Sequence, residues 1–183
     1  MRAVEFVVAT AWAIFWLYWL VSAISMKKGG HVPWRRELGI RALIAAVVIL
    51  LIRLGAFRGG DMNTSAWRAG VGLALLAAGL GFACWARRHI GRNWGTPMTL
   101  KDDPELVTSG PYRLVRHPIY SGLLLATVAT AVALSWQWLF AAALATAYFV
   151  YSATVEESNL AQQLPDTYPA YKRSTKMLVP FVF

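Results

Sequence analysis

The residues with the most chemistry to offer are two cations and two carboxylates at the ends of apolar runs. Arg116 and His117 directly precede a run that opens at Pro118, and Glu156 and Glu157 directly follow a run that closes at Val155. Proline suits the first position of a helix, where one N–H would lack a partner anyway. Arg116 and His117 therefore stand at the electropositive start of a membrane helix, a place that favours anionic or polar ligands. Two adjacent carboxylates at a helix C-terminus repel each other and the helix dipole, and become tolerable when cations face them. With Tyr112, Arg113 and Tyr120 nearby, the group suits a site that holds a charged small molecule at a membrane surface. A plain salt bridge from Arg116 to the acids, interface anchoring by Tyr120, and an amphipathic surface role for Tyr168, Tyr171, Lys172, Arg173 and Lys176 are the simpler alternatives.

The elements that must bring these groups together are apolar helices. Pro118 to Leu134 and Trp136 to Val155 are separated only by Ser135, which predicts an antiparallel hairpin. His117 lies 18 positions before Ser135 and Glu156 lies 21 after it. At the helical rise both are about 27 to 32 Å from the turn, so the two polar ends reach the same depth. Upstream, Val4 to Ile24 is long enough to cross a bilayer, and its length and its following charges distinguish it from a cleaved signal peptide. Ile40 to Leu54 reads as a short second span and Ala66 to Trp85 as a third. Gly70, Gly72, Gly79 and Gly81 in that third span suit close helix packing and not nucleotide binding.

Residues 86–116 are polar, but Trp94, Met98, Leu106, Val107, Tyr112 and Leu114 punctuate them, predicting an ordered cap on the membrane. The expected fold is an all-α integral membrane protein with about five transmembrane helices, a C-terminal hairpin and a cytoplasmic cofactor-binding cap. Its expected parts are a three-span bundle at 1–86 and a core at 87–183, the latter made of a cap at 87–117, the hairpin at 118–155 and a C-terminal cap at 156–183.

The composition agrees with a membrane protein: 57% of the 183 residues are hydrophobic and nine are Trp. The net charge of +9 does not indicate nucleic acid, because the cations cluster at the ends of apolar runs. With five spans and the N-terminus outside, 14 of the 18 Lys and Arg residues fall on the cytoplasmic side. The C-terminus and the site then face the cytoplasm. The single cysteine, Cys84, lies in an apolar run and reads as a packed side chain, and the three His residues are too scattered for a metal site.

The block LVTSGPYRLVRHPIYSG (Leu106 to Gly122), followed after one hairpin by EESNLAQQLPDTYPAYKRSTKMLVPF, resembles the isoprenylcysteine carboxyl methyltransferase and phospholipid methyltransferase superfamily of integral membrane enzymes. The likeness covers about Arg88 to Phe183. It implies methyl transfer dependent on S-adenosylmethionine, to an amphipathic or lipid-like acceptor that enters from the bilayer, with no metal. By motif position it implies that Pro104, Glu105, Leu106, Val107 and Tyr112 line the nucleoside. His117, Pro118, Ile119 and Tyr120 would hold the cofactor from the helix start, and Glu156 would bind its polar groups. Arg116 would hold the substrate head group or the acids, and Glu157 would serve as base where the acceptor needs one.

Two positions depart from the pattern. Ser152 stands where the prenylcysteine enzymes carry an Arg, and Leu164-Pro165 stands where Phe-Gly is usual. These departures leave the implied cofactor intact but do not support a prenylcysteine carboxylate as acceptor. The competing readings are an NADPH-dependent enzyme like the sterol reductases and a non-catalytic membrane scaffold.

Overall fold

The computed structural model describes residues 2–24, 65–94 and 105–182, together with 39, 42, 46 and 53. Among these are five α-helices and no β-strand. They are α1 (Arg2–Ala23), α2 (Ala66–Ile90), α3 (Pro118–Ala133), α4 (Trp138–Gln163) and the short α5 (Tyr168–Ser174). α1, α2 and α4 are each long and apolar enough to cross a membrane, and α3 is a shorter apolar helix of 16 residues. The expected second span at 40–54 and the loop after it lie outside the described residues, apart from helical Ala42, Ala46 and Arg53.

The centre of the bundle is the seam between α2 and α3, built from small residues. A Cβ added to Gly122 would lie 2.6 Å from Gly79 O and 2.8 Å from Ala83 N, so only glycine lets the two backbones approach this closely. Ala83, Ala126 and Ala129 complete the seam and are fully buried. α1 joins through a polar contact, in which Trp12 Nε1 donates to Thr130 Oγ1 at 3.1 Å. Its outer face leaves Phe6, Leu17 and Leu20 exposed, as lipid contact requires.

Two helices run beyond their apolar stretches. α2 continues past Trp85 to Ile90 because Arg87 is buried against main-chain carbonyls, Gly91 O at 2.8 Å and Ser22 O at 2.5 Å. The helix thus crosses the expected 86/87 boundary. α4 continues past Val155 to Gln163, so Glu156 and Glu157 lie within a helix and not at its end. Glu, Leu, Ala and Gln are good helix formers, and they carry the helix on after hydropathy has fallen. The hairpin itself has the expected antiparallel form, with Leu134 to Gln137 between the helices in place of Ser135 alone.

Candidate active site

The start of α3 is held from both sides. Arg116 N donates to Lys176 O at 2.8 Å and His117 N to Met177 O at 3.1 Å, so the C-terminal tail is stitched to the segment carrying both cations. Ser121 Oγ donates to Leu178 O at 2.5 Å. His117 caps α3, with its main-chain oxygen taking the first helical bond from Ser121 N at 3.1 Å.

The hairpin then brings the acids to the cations. Arg116 Nε donates to Glu157 Oε1 at 2.7 Å, Lys172 Nζ meets Glu157 Oε2 at 2.8 Å, and His117 Nε2 stands 3.3 Å from Glu157 Oε1. Glu157 is only 2% exposed, and three basic side chains face its two oxygens. Arg116 is further fixed by the main-chain oxygens of Lys172 and Thr175. Glu156 points elsewhere: Tyr120 OH donates to its Oε1 at 2.5 Å, and His117 Nδ1 lies 3.6 Å from its Oε2. His117, Tyr120 and Phe149 form a continuous stack, with ring centroids 5.5 and 4.5 Å apart.

These groups border one open cavity of about 170 Å³. Glu105, Leu106, Val107, Tyr112, Arg116, His117, Pro118, Ile119, Tyr120 and Glu156 all line it, whereas Glu157 lies behind Arg116 and His117. Pro104 lies outside the described residues. Seven further lining residues are not among the site residues that the sequence points to. Ile90 ends α2 and Asn93 and Trp94 belong to the short turn after it, Asn159, Leu160 and Gln163 come from the added turns of α4, and Tyr171 from α5. Asn159 and Gln163 follow Glu156 by three and seven positions, so a helix continued past the acids would have placed them on the same face. Asn93 Nδ2 donates to Glu105 Oε2 at 2.6 Å and links two walls, while its Oδ1 is buried without a partner.

The phenols around the site are stable neutral groups. Tyr171 OH donates to Tyr112 O at 2.7 Å, and burial pushes its pKa up to about 12, with Arg116 pulling the other way. Burial raises Tyr112 and Tyr168 as well, with the charge environment of Tyr171 and of Glu157, respectively, acting in the same direction.

Residues 67–167, more than half of the chain, match the model of a family described as phospholipid methyltransferase. The chain belongs to the phospholipid methyltransferase family. The family match begins within α2, so it takes in the glycine seam as well as the hairpin and its polar ends. Curated relatives include a methanethiol S-methyltransferase of a Pseudomonas species, 34% identical over 125 residues that make up 63% of this chain and 48% of that protein. Methanethiol S-methyltransferase 2 of Bradyrhizobium diazoefficiens is 42% identical over 72 residues, 39% of this chain and 27% of that protein. A methanethiol S-methyltransferase of Mycobacterium tuberculosis is 40% identical over 70 residues, 38% of this chain and 28% of that protein. The chain spans about half or less of the length of these relatives.

Proposed function

We propose that this member of the phospholipid methyltransferase family uses S-adenosylmethionine to methylate a small sulfur acceptor of the methanethiol type, at the cytoplasmic face of a membrane. The observation that carries the proposal is the meeting of Arg116, His117, Tyr120 and Glu156 on the wall of one cavity, in a chain of this family.

The residues present suit that cofactor. Glu156 offers a carboxylate to a sulfonium or an amino group, and the start of α3 suits a carboxylate tail. Tyr112, Tyr120 and Trp94 supply aromatic walls for a nucleobase, beside Leu106 and Val107. The buried Asn93 Oδ1 is an acceptor still lacking a donor, such as an amino or hydroxyl group of a ligand would provide. His117, Pro118 and Ile119 hold the rim from the helix start.

When bound, S-adenosylmethionine supplies a methyl carbon made electrophilic by a cationic sulfur. Displacement at that carbon depends on alignment and on exclusion of water, and the chain contributes both through a site fixed by α3, α4 and the C-terminal tail. A thiolate acceptor needs no base, and a basic rim favours the thiolate over the thiol. Glu157 then serves as the counter-ion that fixes Arg116 and His117, and Arg116 orients the acceptor.

The packing favours a small acceptor over one with a lipid tail. The α2 and α3 backbones touch at Gly79 and Gly122, and Tyr120 stacks on Phe149 between α3 and α4, which leaves little room for a long chain at either contact.

The test is to supply the detergent-purified protein with methyl-labelled S-adenosylmethionine and, in parallel, methanethiol, a prenylcysteine or phospholipid vesicles. The proposal expects label in dimethyl sulfide, with the thiol proton passing to solvent. Transfer to prenylcysteine or phospholipid alone would overturn the small acceptor in favour of the lipid-like one.

A further inference from the structure

The cavity wall formed by Asn93 and Trp94 is backed by a buried cation that no motif marks. Arg87 is 3% exposed, near the end of a helix able to span the membrane. A charge so placed is costly unless its surroundings use it. Among the described residues no carboxylate touches it. Its Nη atoms donate to Gly91 O and Ser22 O, and its guanidinium lies 4.5 Å from the centre of the Trp94 ring. The edge-to-face partner of Trp94 is Trp19 of α1, at 5.3 Å and 85°. One planar cation thus ties together the last turn of α2, the end of α1 through Ser22, and an aromatic side chain of the cavity wall.

We propose that Arg87 is a positioning residue for the cofactor, acting through Trp94. The proposal rests on reading the cavity as the S-adenosylmethionine site. A guanidinium stacks flat on an indole while its edge donates to two carbonyls, and a lysine ammonium can do only part of this. Without the stack, Trp94 loses the backing that fixes its ring against a bound nucleoside, while Arg116 on the acceptor side keeps its own contacts. The expected signature is weaker cofactor binding with turnover preserved once the cofactor saturates.

The experiment measures S-adenosylhomocysteine affinity by calorimetry, together with kcat, KM for S-adenosylmethionine and the thermal midpoint, in the detergent-purified full chain. Arg87→Lys should raise Kd and KM by about tenfold. It should leave kcat within about twofold. Trp94→Leu should give a similar rise, and adding Arg87→Lys to it should give no further one, because both act through one contact. Arg68 also faces a tryptophan, Trp136 at 4.9 Å, near the other end of α2, and Arg68→Lys should leave Kd and KM unchanged. Wild-type affinity in Arg87→Lys, or a fall in kcat and thermal midpoint with KM unchanged, would overturn the positioning role while leaving the cofactor site in place. Failure of the wild-type protein to bind S-adenosylhomocysteine would overturn both.

Discussion

Arg116 Nε meets Glu157 Oε1 at 2.7 Å across 41 positions of sequence, and this contact joins the start of α3 to the last third of α4. It sits on one side of a buried carboxylate whose other oxygen meets Lys172 of α5, so three helical elements converge on one residue.

Replacing Glu157 by Gln is therefore expected to be costly in two ways. Arg116 would lose its charge partner at a site shielded from water, which corresponds to roughly 2 to 4 kcal/mol of stability, while the half-exposed Lys172 adds little. The loss should appear as a lower thermal midpoint in detergent. Because Arg116 would no longer be fixed, kcat for the thiol acceptor should fall at least about tenfold.

The α2–α3 seam leads to a second expectation. Gly122→Ala would place a methyl carbon 2.6 Å from Gly79 O, a backbone atom that cannot step aside. The helices must separate, at about 1 to 3 kcal/mol, read as a drop in thermal midpoint. Gly81→Ala, where nothing lies within 4 Å, should be neutral or slightly stabilising by the same measurement.

The hairpin was legible in the sequence because two apolar runs of known rise must return their polar ends to one depth, and Arg116, His117, Glu156 and Glu157 do meet. The extra turns of α4 were hidden, since hydropathy marks where a helix leaves the apolar layer and not where it ends. Asn159 and Gln163 went unremarked for that reason. The burial of Arg87 was hidden for another: its acceptor at Ser22 belongs to a helix 65 positions away, and no local pattern announces such a contact. Nor does a motif mark Asn93, whose partner Glu105 lies beyond a stretch outside the described residues.

Tyr171 provides a test by pH. Its folded pKa is raised to about 12 from the ordinary 10, so the protonated phenol favours the folded state. That contribution is complete below about pH 10 and is lost as pH rises from 10 to 12. Stability measured against alkaline pH should fall more steeply across this window in the wild-type protein than in Tyr171→Phe, which keeps the ring but has no phenol to ionise. Parallel curves would show that Tyr171 is not held neutral by its burial.

The most direct test of the central claim is equilibrium binding of S-adenosylhomocysteine to the wild-type protein and to Glu156→Gln, with NADPH as the comparison ligand. Saturable binding of S-adenosylhomocysteine, weakened at least about tenfold by the substitution, or roughly 1.4 kcal/mol, is the predicted result. Binding of NADPH alone, or of neither ligand, would contradict the account, pointing respectively to a reductase-like enzyme and to a membrane scaffold.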